Sequence, residues 1–120
     1  MSGLKIAVPT MGNKLLNDRV ADTFSRASTF TFVSVQNGKI MEVYFIKNDA
    51  KELKQGAGPL VAGIMKENGV EFVLSGDIGP GASSILNTID IKIVKIKSGL
   101  KVRNVIYDWL KEKASVPFIK

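Results

Sequence analysis

The 120-residue chain contains no cysteine and no histidine. These two absences remove more chemistry than any other feature of the composition. Zinc sites, iron–sulfur clusters and haem are ordinarily held by thiolate or imidazole ligands, and this chain offers neither. Nucleophilic schemes built on Cys or on His are excluded for the same reason. General acid–base work is left to Asp, Glu, Lys and Tyr. Long apolar runs are also missing: nothing approaches the ~18 residues of a membrane-spanning helix. The opening residues, Met1-Ser2-Gly3-Leu4-Lys5-Ile6, lack the charged region and apolar run of a secretion signal. A cytoplasmic protein away from membranes is expected. No run of five like charges, internal repeat, linker or low-complexity stretch occurs.

What is present is ordinary for one globular domain, with 45% hydrophobic and 23% charged residues. The chain is long enough to bury a core without disulfides. Seventeen basic residues face eleven acidic ones, giving a net charge of +6 and a pI near 9.7. Such a surface attracts phosphates, anionic clusters, nucleic acid or acidic proteins. The alternative is a lysine-rich solubilising coat. Lys92, Lys95, Lys97, Lys101 and Arg103 form the densest basic stretch. Nucleic-acid binding would rest on charge alone and is the weaker reading.

Hydrophobic periodicity outlines the elements. Leu4 to Pro9 reads as a strand stopped by Pro9, and Met11 to Ser28 as a long loop with at most a helical turn. Thr29–Gln36 and Lys39–Lys47 are rich in β-branched and aromatic residues, and Asn37-Gly38 between them predicts an antiparallel hairpin. Asn48 to Gln55 reads as loop. Gly58-Pro59 opens a helix with Pro59 at its first position, an apolar stripe of Leu60, Val61, Ile64 and Met65, and a stop at Gly69. Glu71–Ser75 is a short buried strand. A second helix carries Ala82, Ile85, Leu86 and Ile89, a fifth strand runs over Ile91–Lys97, and a last helix spans Val102–Lys113 with Trp109 on its apolar face. Val116–Lys120 reads as a frayed tail. Two strand–helix–strand crossovers and one hairpin predict an α/β fold. It has three layers, α/β/α, around a mixed five-stranded sheet with one antiparallel strand.

Three segments are candidates for chemistry. The first is Ser75-Gly76-Asp77-Ile78-Gly79-Pro80-Gly81-Ala82-Ser83, at the carboxyl end of a buried strand and the start of a helix, where α/β sheets bind ligands. Gly76 and Gly81 have phosphate-loop spacing, but Ala82 stands at the position of the essential Lys and Asp77 would repel an anion. The competing reading is a tight turn that needs glycine. The second is Gly56-Ala57-Gly58-Pro59, a helix start bordering a cleft; Val61 occupies the place of the third glycine of a dinucleotide fingerprint. The third is Asp22-Thr23-Phe24-Ser25-Arg26-Ala27-Ser28. Here Arg26 is suited to clamp a carboxylate or phosphate, and Thr23, Ser25 and Ser28 supply hydroxyls. Its competing reading is a polar loop with Phe24 pinned into the core. The hairpin followed by crossovers resembles ribonuclease H-like architecture, whose enzymes need clustered acids holding two metals. Leu4 to Thr10 carries no acid, and Asp18, Asp22, Asp49 and Asp77 are scattered, so nuclease chemistry is not expected.

Four elements together resemble a known family. They are Lys5-Ile6-Ala7-Val8-Pro9-Thr10; Val20-Ala21-Asp22-Thr23-Phe24-Ser25-Arg26-Ala27 followed by Phe30; Gly56-Ala57-Gly58 before a helix; and Gly69 through Pro80. In this order and spacing, from about Lys5 to Leu110, the chain is similar to the dinitrogenase iron–molybdenum cofactor biosynthesis family, the nitrogenase accessory factor domain. The resemblance implies a ribonuclease H-like fold and a non-catalytic role. Some members carry the iron–molybdenum cofactor or its iron–sulfur precursors; many are small stand-alone domains. The family's second element commonly reads Asp-His-Phe-Gly-Arg-Ala, and its His is implicated in cofactor contact. This chain has Thr23 in that place and Ser25 for the Gly. Only Met thioethers, carboxylates and backbone remain as ligands, with Met11 the one methionine placed in a loop. A cluster would then be held electrostatically, by Arg26, lysines and backbone N–H groups.

The expectation is a non-catalytic binding or carrier domain, with no membrane association, acting as a monomer or weak dimer. Its partner is an anionic ligand or a protein. The expected cleft lies between Asp22–Ala27, Gly56–Gly58 and Gly76–Gly81. Its ligand-binding residues are Asp22, Thr23, Ser25, Arg26, Gly56, Gly58, Gly76, Asp77, Gly79 and Gly81, with no metal ligand assigned. An iron–sulfur or iron–molybdenum cluster is implied only by the resemblance. A protein-interaction module would instead show an apolar patch at a sheet edge or around Trp109. An enzyme would need a perturbed base, for which Asp22 and Asp77 are the candidates.

Overall fold

The computed structural model describes residues 3–53 and 55–115. Its elements are β1 (Gly3–Thr10), a 3₁₀ turn (Leu15–Asn17), β2 (Thr29–Gln36), β3 (Lys39–Lys47), α1 (Ala57–Glu67), β4 (Phe72–Ser75), α2 (Pro80–Thr88), β5 (Lys92–Lys95) and α3 (Val102–Ser115). The tail proposed from Val116 onward lies outside the described residues.

The sheet order is β3-β2-β1-β4-β5. β2 is antiparallel to both of its neighbours, while β1, β4 and β5 run parallel. The mixed sheet with one reversed strand is as expected. The hairpin forms because Asn37 and Gly38 both adopt positive φ, 55° and 77°. A type I′ turn requires this, and Asn and Gly tolerate it. Met41 is an extra residue on β3, since Ser34 pairs with Glu42 and Val35 with Ile40. This is a β-bulge on an edge strand.

Side chains alternate across the sheet and build two cores. Ala7, Phe30, Phe32 and Val73 face α1 and α2, which supply Val61, Ala62, Met65, Ala82 and Leu86. Ile6, Val8, Val33, Val35 and Leu74 face α3, which supplies Val102, Val105, Ile106 and Trp109. Trp109 stacks at a tilt on Phe72, with centroids 4.8 Å apart.

Several boundaries differ from the sequence reading. β1 continues through Pro9 to Thr10. Pro9 is tolerated because β1–β4 pairing is recorded only at Ile6 and Ala7, so no ladder partner is wanting an N–H there. α1 starts at Ala57 with Gly56 as its cap, which puts Pro59 third and not first. The change costs nothing, because none of the first N–H groups has an intrahelical partner. Leu60 points to solvent, and Ala57 and Ala62 complete the buried stripe in its place. β4 and β5 are four residues each, shorter than read, and α3 runs two residues further.

Candidate functional site

The strand directions place the carboxyl ends of β1, β3, β4 and β5 at one end of the sheet, together with the starts of α1, α2 and α3. Charge is sorted toward this loop end. Among the described residues it holds nine cations, Lys14, Arg19, Arg26, Lys47, Lys51, Lys95, Lys97, Lys101 and Arg103, against five acids, Asp18, Asp22, Asp49, Glu52 and Asp77. The rest of the described chain balances, six cations against six acids. One acid is withdrawn further. Asp18 is buried and accepts the backbone N–H groups of Lys14 and Arg19 at 2.9 and 2.8 Å.

The segment 22–27 is built into this end by non-local contacts. Ala21 N–H donates to the Pro9 carbonyl at 2.9 Å, and Thr23 forms a parallel bridge with Asp77. Phe24 is buried against Phe30 with centroids 5.5 Å apart, as the structural alternative for this loop required. Asn48, also buried, ties the segment to the next loop. Its Nδ2 donates to the carbonyls of Ser25 and Ala27 at 2.9 and 2.8 Å, and its Oδ1 accepts from Ala50 N–H at 3.0 Å. Arg26 joins in: its Nη1 donates to the carbonyls of Lys51 and Leu53. The guanidinium is therefore a staple between two loops in this structure. In the sequence Asn48 reads only as loop, because nothing local in Asn-Asp-Ala announces a partner more than twenty residues away.

Beside this segment the first turns of α1 and α2 come together. Gly56 enters α1 at φ 80°, a conformation glycine adopts without strain. Neither Gly56 nor Gly79 supplies a side-chain cap, and neither first turn contains an acid. A methyl group on Gly58 would meet the Ala82 backbone nitrogen at 3.6 Å, so the two helix starts are in contact. The N–H groups of Ala57, Gly58, Gly81 and Ala82 consequently lie in two adjacent uncapped turns, with both dipoles positive at the same place. Behind them, at the end of β4, Ser75 is fully buried and its Oγ has no partner among the described residues. Gly76 runs close to the Asp22 and Ile96 carbonyls, where a Cβ would sit 3.8 and 3.7 Å away. Asp77 is exposed and paired with exposed Lys95 at 3.1 Å.

The ten expected ligand residues therefore fall into one neighbourhood, but none lines a described hollow. One hollow of about 310 Å³ lies in the loop Met11–Arg19. A second, of about 410 Å³, is bounded by Gly12, Asn13, Thr29, Phe45 and Lys47. A third, of about 440 Å³, is bounded by Ser28, Lys47, Asn48, Asp49, Lys51 and Glu52. The last, about 220 Å³, runs between β5 and α3 beside Trp109. Between the three expected segments, Gly58 packs on Ala82 and Thr23 bridges to Asp77. No described group of three or more His, Cys, Asp or Glu residues is placed to hold a metal ion. Among the described residues, no helix is long and apolar enough to cross a membrane.

Strand order and the gathered helix starts define a ribonuclease H-like α/β/α domain with a cationic loop end. The sequence pattern of the dinitrogenase iron-molybdenum cofactor family matches residues 4–112, and the chain belongs to that family. An uncharacterised protein of Methanocaldococcus jannaschii is 30% identical over 92 residues, 77% of this chain and 74% of that protein. The apo form of the orange protein from Desulfovibrio gigas superposes with a TM-score of 0.83 at 29% identity, over 94% of this chain and 92% of that one. A Thermotoga protein provisionally named NifB superposes with a TM-score of 0.72 at 27% identity, over 91% and 88% of the two chains.

Proposed function

We propose that this chain is a non-catalytic binding or carrier domain that takes an anionic ligand at the paired starts of α1 and α2. The observation that carries the reading is the contact of Gly58 with Ala82 between two uncapped first turns. Four backbone N–H groups and two helix dipoles favour negative charge there, and glycine lets an anion approach the backbone closely. The cationic loop end adds attraction at longer range. Asp77 opposes it, and Lys95 offsets part of that charge. Asp22 and Asp77 are exposed, and the paired helix starts present backbone N–H donors, which supports binding as the reading.

Direct ligation of an iron–sulfur or iron–molybdenum cluster does not fit the residues present. The chain has no thiolate or imidazole, and Thr23 stands where the family's His is expected. An anionic cluster as cargo would be held by backbone N–H groups and cations, without a bond from a side chain to the metal. The test is an amide NMR titration of the whole chain under anaerobic conditions, first with inorganic phosphate and then with an iron–sulfur cluster. Saturable shifts at Ala57, Gly58, Gly81 and Ala82 are the expected result. Absence of any shift there with either anion would remove the reading.

A second reading, a protein-interaction module, is favoured by the hollow between β5 and α3. Exposed Leu100 borders it, Val94, Ile96, Val105 and Trp109 line it, and Asp108 and Glu112 of α3 add acidic groups. Binding there would leave the α1 and α2 starts unshifted.

A further inference from the structure

On the α3 side of the sheet, the cover over the carboxyl end of β3 is a loop and not a helix. The 3₁₀ turn packs against both α3 and β3, and the segment Met11–Asn13 folds over the strand ends. That segment is fixed by a chain of three buried hydroxyls. Thr29 Oγ1 donates to the Gly12 carbonyl at 2.5 Å, so Thr10 Oγ1 donates to Thr29 at 2.6 Å, and Thr31 donates to Thr10 at 2.9 Å. Each hydroxyl has one proton, and the Gly12 acceptor sets the direction of the whole chain. The result is an open, shallow hollow of about 410 Å³ between the loop and β3.

Two side chains in this hollow lack partners. Phe45 is 40% exposed and belongs to no ring pair among the described residues, whereas Phe24 with Phe30, Phe32 with Tyr44, and Phe72 with Trp109 all pair. Lys47 has no ion pair or hydrogen bond among the described residues. Strand alternation puts both on the same face, opposite Thr31 and Thr29 respectively. They are therefore separated by two residue rises, roughly 7 Å. Asn13 on the facing wall offers an amide able to both donate and accept.

We propose that this hollow binds a small aromatic anion, its ring stacked on Phe45 and its phosphate or carboxylate on Lys47. A face-on aromatic contact and a cation about 7 Å further along suit a nucleoside monophosphate-like molecule. Neither half suffices. An exposed lysine alone holds an anion weakly, and an exposed ring alone gains little from a neutral ligand. The inference uses neither helix start, so it stands or falls separately from the proposed function.

The experiment titrates the full chain with adenosine 5′-monophosphate and follows backbone amide signals, with adenosine and inorganic phosphate titrated separately. The nucleotide is expected to shift Gly12, Asn13, Phe45 and Lys47 saturably, and more tightly than either fragment. Phe45→Ala is expected to weaken binding about 2- to 12-fold, the range of an aromatic pair. Phe45→Leu, which keeps an apolar side chain and guards against loss of fold, is expected to do the same. Lys47→Gln should weaken binding and flatten its salt dependence. No saturable shift at these four residues, or unchanged affinity in Phe45→Leu, would overturn the inference. So would shifts confined to Ala57, Gly58, Gly81 and Ala82, although these would support the proposed function.

Discussion

Asn48→Ala probes what holds the loop end together. The Asn48 side chain is buried and makes three hydrogen bonds, two to carbonyls of the 22–27 segment and one from Ala50 N–H. Each bond is worth about 1 kcal/mol net, and polar groups left unpaired in a buried place add to the loss. The expected cost is about 2–4 kcal/mol. For a chain of this length, roughly 4 °C of melting temperature per kcal/mol gives a drop on the order of 8–16 °C. Urea unfolding followed by far-UV circular dichroism measures the free energy, and a thermal scan measures the shift. Asn48→Asp sharpens the argument. A carboxylate keeps the acceptor for Ala50 but turns a second oxygen toward the Ser25 and Ala27 carbonyls. Only the protonated acid can donate to them, so folding raises the carboxyl above its unfolded value. A raised carboxyl confers stability that is present below the unfolded value, about 3.9, and is lost as pH rises through the folded one. The Asp variant should thus approach the parent at acid pH and fall behind it at neutral pH. An Ala variant within 0.5 kcal/mol of the parent, or a pH-independent gap for the Asp variant, would refute this account of the loop end.

Other expectations follow from the same geometry. Thr10→Val keeps shape but removes the donor to Thr29 and the acceptor of Thr31, so urea unfolding should show a loss of about 1–3 kcal/mol. Asp77→Asn removes an exposed pair with Lys95; stability should change by less than about 0.5 kcal/mol, while phosphate affinity at the α1 and α2 starts should rise, as read by NMR titration. Gly58→Val should part the two helix starts, because its branched side chain extends beyond a Cβ already 3.6 Å from Ala82. Anion affinity at those starts should fall, whereas nucleotide shifts at Phe45 should persist.

The sequence by itself determined the features whose causes are local. The Asn37-Gly38 turn, both strands flanking it and the stop at Gly69 follow from which residues accept positive φ and which pack on a pleated surface. The apolar spacing of α2 and α3 and the count of five strands follow from periodicity. The family was also legible, since its motifs are short and lie in order along the chain. Leu60 is exposed although its spacing fits an apolar stripe, because spacing alone cannot distinguish a stripe of Leu60 and Val61 from one of Ala57, Val61 and Ala62; the position of α2 decides it. Long-range contact decided the rest. Arg26, free in sequence to be an anion clamp, is drawn to two carbonyls 25 and 27 residues ahead. Asn48 gains its three bonds, and Thr10, Thr29 and Thr31 their proton chain, only once β1 and β2 pair and the loops fold across them. The contact of Gly58 with Ala82 exists because β3 and β4, which are not neighbours in the sheet, are joined by a helix that must cross beside α2. Backbone preference acts over a few residues and can be read along the chain; hydrogen bonds and helix packing between distant residues form only in three dimensions.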